Sequence, residues 1–174
     1  MIILKALYFF VPAYFANMSP VFAAKIFGQL GSKPIWEKGL GSHKTWRGLV
    51  AAIVVGIIMA YIQLFLYNAT NFFRSLSLFD YNQMNLVALG FLFGLGAMVG
   101  DAVKSFFKRR QKLKPGAPWF PFDQIDFVLG GLVFVLPIFR PSWVIWLILL
   151  IVSPVLHILT NRIGYYLGIK KVKW

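Results

Sequence analysis

Long uncharged apolar runs leave this chain few ways to fold. Residues 48–67 read GLVAAIVVGIIMAYIQLFLY without a single charge, and the stretches 2–24, 84–103, 122–139 and 142–160 are nearly as apolar. A helix that is hydrophobic all round has no face to offer water. Roughly 20 such residues do, however, match the hydrocarbon thickness of a bilayer. The expected architecture is therefore all-α: a polytopic integral membrane protein, one embedded domain over residues 1–174, with five transmembrane helices at those positions and two cytoplasmic loops. Pro137, Arg140 and Pro141 mark a tight turn between the last two spans, while Pro12 and Pro20 interrupt the first. Asn17, Ser19 and Pro20 form a polar patch there that is expected to break the helix, as membrane helices do where they line a cavity. Composition agrees with this reading: 59% of residues are hydrophobic and only 13% charged. With no cysteine, disulfides and thiolate metal sites are excluded. The amino terminus resembles a secretory signal with a cleavage site at Ala23-Ala24, but more membrane follows it, so a retained span is expected.

The sparse charges are unevenly placed. Eighteen Lys and Arg against five Asp and Glu give a net charge of +13. Segments 25–47, 104–114 and 162–173 hold five, six and four of the bases. With five spans these fifteen share one side, leaving only Lys5, Arg74 and Arg140 on the other. Basic loops stay in the cytoplasm, so the protein is expected in the cell (cytoplasmic) membrane with its amino terminus outside and its carboxyl terminus inside. An even number of spans would destroy the asymmetry. No DNA- or RNA-binding motif accompanies the high charge, and no nucleic-acid partner is expected.

Topology does not require acidic residues, yet Glu37, Asp101, Asp123 and Asp126 share the basic side. Ionisable groups near a span are costly and tend to be functional. Asp123 and Asp126 lie three apart at the start of the fourth span, on one helix face. Helix capping by Asp123 and dipole compensation by Asp126 would account for those two, but poorly for Asp101 as well. Three carboxylates suit one or two Mg²⁺ ions that also bind substrate phosphates. Lys104, Lys108, Arg109 and Arg110 follow Asp101 at helical steps, with Lys104 and Lys108 on its face. Arg and Lys are the natural phosphate ligands; Lys112 and Lys114 suit lipid headgroups. The loop 39–48, GLGSHKTWRG, has three glycines beside His43, Lys44, Thr45 and Arg47, where backbone amides can approach a phosphate. It lacks the Walker spacing. His157 reads as a packing histidine, and no hydrolase motif is present.

Together Asn17-x-x-Pro20, GSHKTWRG (41–48), GDAVKSFFKRR (100–110), Pro115-Gly116, DQIDF (123–127), His157, Asn161 and Tyr165 resemble the CDP-archaeol synthase family, relatives of the phosphatidate cytidylyltransferases. The chain departs from the longer bacterial relatives where their KD and GHGG stretch is replaced by LKPGAPWFPFDQID. The resemblance implies a Mg²⁺-dependent transfer from CTP to a membrane lipid phosphate bearing ether-linked geranylgeranyl chains. It implies Asp101, Lys108 and Asp126 as catalytic residues, and Asp101, Asp123 and Asp126 as metal ligands. It likewise implies Asn17, His43, Lys44, Thr45, Arg47, Lys104, Arg109, Arg110 and Asn161 as substrate ligands. The lipid tails would lie between helices, in a groove opened by Gly130 and Gly131. An ester-lipid phosphatidate cytidylyltransferase, a CTP-dependent lipid kinase and a non-enzymatic transporter remain alternatives; a CDP-alcohol phosphotransferase needs a DxxDG array that is absent. The bilayer is a partner in every case, and a homodimer is an open option.

Overall fold

Seven helices form in the computed structural model, which describes residues 1–113 and 117–168. They are α1 (Ile2–Phe27), α2 (Glu37–Leu40), α3 (Trp46–Ala69), α4 (Asn71–Leu76), α5 (Leu86–Arg110), α6 (Phe122–Val135) and α7 (Trp143–Tyr166). Lys114, Pro115, Gly116 and the terminal bases Lys170, Lys171 and Lys173 lie outside the described residues. No β-strand occurs among the described residues, only an isolated bridge between Pro34 and Thr45.

Four helices (α1, α3, α5 and α7) are long and apolar enough to cross a bilayer. At 1.5 Å per residue they reach roughly 36–39 Å, whereas the 14 residues of α6 reach about 21 Å. The fourth expected span, 122–139, is thus shorter in helix than its apolar run: the chain turns after Val135, where the amides of Ile138 and Phe139 both return to the Val135 carbonyl (3.1 and 2.9 Å) just past Pro137. α5 runs on to Arg110 rather than ending near Val103, so its bases stay in helical register with Asp101.

α1 overturns the expected break. It is continuous through Pro12 and Pro20. Proline 20 has no N–H for the carbonyl of Ala16, four residues back, but the Ser19 hydroxyl donates to that carbonyl at 2.9 Å. The orphaned acceptor is satisfied without opening the helix.

Helix association in lipid rests on close van der Waals packing, which small residues permit. A Cβ on Gly56 of α3 would run into the Gly90 carbonyl of α5, and one on Gly100 of α5 into the backbone at Asp126 and Gly130 of α6. These pairings, with Ala52 against Gly94 and Gly96 against Gly130, make α5 antiparallel to both neighbours. Tyr8 and Gln63 bond reciprocally between α1 and α3: the Tyr8 hydroxyl donates to the Gln63 carbonyl (3.2 Å), and Gln63 Nε2 donates to the Tyr8 carbonyl (2.5 Å). The Tyr14 and Ser153 hydroxyls pair at 2.6 Å and tie α1 to α7, which run the same way.

One end of the bundle is closed by rings. Phe9 meets Phe93 and Phe139 at 5.2 and 5.3 Å, and Phe79 meets Tyr81 at 4.7 Å. The opposite end gathers the polar residues: the start of α3, the ends of α5 and α7, the start of α6 and the middle of α1.

Candidate active site at the charged end of the bundle

Helical spacing puts Asp101, Lys104 and Lys108 on one stripe of α5, and Asp123 and Asp126 on the facing stripe of α6. Because Gly100 and Gly130 let these helices touch, the stripes interlock. Lys104 Nζ lies 2.9 Å from Asp101 Oδ1, 3.2 Å from Asp123 Oδ1 and 2.6 Å from Asp126 Oδ2. Lys108, only 7% exposed, donates to both Asp123 oxygens (3.0 and 3.1 Å) and to the Ala117 carbonyl (2.5 Å). The third lysine, Lys44, pairs with Asp101 Oδ2. Three carboxylates and three ammonium groups thus form one connected network, in which an unpaired charge would be very costly to bury.

Lys44 arrives there through the loop before α3. The Ile35 amide donates to the Lys44 carbonyl (2.8 Å), and the Trp46 amide to that of Lys33 (3.2 Å). Trp36 stacks on Phe106 of α5 at 5.9 Å, pinning the loop over the helix. Of the glycines expected to approach a phosphate, Gly41 borders a basic pocket, while Gly39 and Gly48 have steric duties. Gly39 lies under the Trp36 ring, Gly48 packs on Pro20, and Gly41 takes φ 86°, a left-handed turn that favours glycine.

A polar cavity of about 200 Å³ opens beside the network, lined by Asp101, Lys104, Lys108, Asp123, Gln124 and Asp126, with Asn17, His157 and Asn161 on its far wall. On the other side of Lys104 and Lys108 is a basic pocket of about 160 Å³, walled by the 40–44 loop, Ser105 and Arg109. An apolar groove of about 500 Å³ runs between α5 and α6 from Trp119 and Phe122 to Phe134, with Lys104 and Asp126 in its wall. A second apolar groove, between α1 and α7, begins at Asn17, His157 and Asn161.

Most of the sequence-predicted residues converge here: Asn17, Asp101, Lys104, Lys108, Asp123, Asp126 and Asn161 on the cavity, and His43, Lys44 and Arg109 around the basic pocket. Three do not border either space. Arg47 turns to the carbonyls of Gly28 and Leu30 (3.3 Å to the latter), bracing the turn after α1. Thr45 caps α3 by accepting from the Gly48 amide at 3.2 Å. Arg110 lies over the Phe106 ring at 6.0 Å. Glu37 is exposed on α2 and also stands apart.

Asp123 does not cap α6 in the expected forward sense. It reaches back to accept from the Trp119 amide at 2.6 Å, because the chain turns sharply before the helix. Gly130 does border the α5–α6 groove, but Gly131 faces Phe10 and Ala13 of α1 instead. Two cavity residues were missed. Gln124 lies between the two aspartates of DQIDF, and its polarity in an apolar run is the signal that marks it. His157, read as a packing residue, lines the cavity with its Nε2 3.4 Å from Asn161 Nδ2.

Among the described residues no three carboxylates or imidazoles are arranged to hold a metal by themselves; the Lys104 ammonium stands between them. The donor chemistry nonetheless fits Mg²⁺, which takes hard oxygens and needs only one or two protein carboxylates when phosphates supply the rest. Asp126 Oδ2 is enclosed with the Lys104 ammonium 2.6 Å away as its counter-ion, so an anionic oxygen is held where the carboxylates converge.

An all-helical bundle of apolar spans with an ionic cluster and a polar cavity at one end defines a multi-pass membrane protein with a buried ionic site. The whole chain, residues 1–174, matches the CarS-like family model, CDP-archaeol synthase. The CDP-archaeol synthases of Pyrococcus furiosus and Thermococcus kodakarensis are 38% and 36% identical to it, over 99% and 97% of this chain and 98% and 95% of theirs. A solved structure of an intramembrane enzyme for archaeal membrane lipid biosynthesis superimposes with a TM-score of 0.72 at 27% identity, covering 91% of this chain and 94% of that one. The chain belongs to the CDP-archaeol synthase family and is an enzyme.

Proposed function

We propose that the protein transfers the cytidylyl group of CTP to the phosphate of an isoprenoid ether lipid, unsaturated archaetidic acid, forming CDP-archaeol and pyrophosphate with Mg²⁺ as cofactor. One observation carries this reading: the ionic cavity adjoins apolar grooves, sharing Lys104 and Asp126 with the one between α5 and α6 and Asn17, His157 and Asn161 with the one between α1 and α7. A phosphate on a hydrocarbon chain needs that junction; a soluble substrate does not. The basic pocket behind Lys104 and Lys108 then suits a triphosphate.

When bound, Mg²⁺ would be held by Asp101, Asp123 and Asp126 and would neutralise charge on the phosphoryl oxygens. The lipid phosphate, anionic at neutral pH, needs no strong base. Its oxygen forms the new bond to the α-phosphorus while the bridging P–O bond breaks, and that electron pair leaves on pyrophosphate. Lys44, Lys108 and Arg109 border the pocket where the leaving group develops charge and stabilise it there. Asn17, His157 and Asn161, across the cavity, orient the headgroup.

The alternating directions of α1, α3, α5, α6 and α7 support five crossings, with α6 the short one. A helix of about 21 Å is extended by flanking segments and by local thinning of the bilayer. The basic loops favour a site at the cytoplasmic face. Purified protein given cytidine-labelled CTP is expected to label an ether-lipid phosphate in preference to its ester analogue, and only with Mg²⁺. Equal use of both lipids would remove the ether assignment; labelling undiminished in EDTA would remove the metal.

A further inference from the structure

We propose that Lys104 is the resident counter-ion of the three aspartates in the nucleotide-free enzyme, and that metal and triphosphate must arrive together to displace it. The inference rests on the metal-dependent reading above but concerns a residue's change of partner. A single ammonium stands 2.9, 3.2 and 2.6 Å from three carboxylates on two helices. That is the point a shared cation would take, so ion and ammonium exclude each other there. The side chain has somewhere to go: Lys104 borders the polar cavity, the basic pocket and the head of the α5–α6 groove.

Charge decides when it leaves. Lys44, Lys104 and Lys108 already neutralise Asp101, Asp123 and Asp126. A divalent ion entering alone adds two positive charges to a neutral, enclosed network beside three ammonium groups, which low dielectric opposes strongly. A triphosphate entering with it brings the compensating negative charge and gives Lys104 new oxygens in the basic pocket. The lysine therefore passes from carboxylates to phosphates as the ion takes its place. A second polar group is poised in the same cavity. Gln124 is 3% exposed, and its Oε1 has no hydrogen-bond partner among the described residues. It offers an acceptor for water on the incoming ion.

Protein-bound Mn²⁺, measured by equilibrium dialysis so that Mn²⁺ held by free CTP counts as unbound, tests this on purified wild type, Lys104→Met and Lys104→Gln. Each is measured with and without CTP, in the absence of lipid phosphate. Wild type is expected to bind Mn²⁺ at least tenfold more tightly with CTP than without. Without CTP, both variants are expected to bind it at least tenfold more tightly than wild type. Variants no tighter than wild type without CTP overturn the displacement while leaving the metal reading intact. Wild type binding Mn²⁺ equally well with and without CTP overturns it from the native protein alone. If wild type does not bind Mn²⁺ even with CTP, the metal reading falls and the displacement with it.

Discussion

At the scale of single residues, Asp126 carries the most weight. It is 9% exposed, faces Lys104 through Oδ2, and accepts from the Phe127 amide through Oδ1 at 2.6 Å. Asp126→Asn keeps the shape but removes a charge from a balanced network, leaving three ammonium groups against two carboxylates. Cytidylyl transfer is expected to fall by at least about 100-fold, in line with loss of a transition-state electrostatic group. Incorporation of labelled CTP into lipid, with monodispersity checked by gel filtration, reads the result. Glu37→Gln should retain transfer within about threefold in the same assay, because surface changes away from such features have small effects. The acids were legible as a group because carboxylates beside apolar spans need an explanation. Lys104 was legible as a neighbour of Asp101, but not as the centre of the network. That depends on α6 meeting α5 at a particular height, which no spacing within α5 encodes. Arg47 and Arg110 read as phosphate ligands from their position in basic motifs, and the structure gives them backbone carbonyls and a ring instead.

Among the helices, close backbone approach and repaired hydrogen bonds decide what holds. Gly90→Ala would push a Cβ into the α3 backbone at Ile57. Overpacking of this kind costs about 1–3 kcal/mol, and thermal unfolding in detergent should show it as a lower midpoint. Ser19→Ala removes the hydroxyl that answers the Ala16 carbonyl beside Pro20. At a buried site that loss is worth about 1–3 kcal/mol, and the same scan measures it. Apolar runs revealed which segments are helices, but not where they end. α5 outlasts its apolar run because Lys and Arg are good helix formers, and α6 stops short of its own because Pro137 intervenes. The expected break in α1 failed for a local reason: the residue before the proline supplies the missing donor.

For the whole molecule, the asymmetry between ends is the organising fact. Rings close one end, while the linked carboxylates and lysines and the polar cavities occupy the other. The absence of cysteine makes orientation easy to measure. Ser42→Cys in the loop at the charged end and Ser75→Cys at the other are both exposed positions. A membrane-impermeant maleimide applied to intact cells should label Ser75→Cys and spare Ser42→Cys until the membrane is opened. The reverse pattern would place the site outside. The most direct test of the account uses CTP carrying tritium in cytosine and ³²P at the γ-phosphate, given to purified protein with Mg²⁺ and ether-lipid phosphate. Tritium is predicted to enter the lipid while ³²P stays in water as pyrophosphate, and both movements should cease in Asp126→Asn. Phosphorus-32 in the lipid with tritium left in water would contradict cytidylyl transfer at the aspartate site.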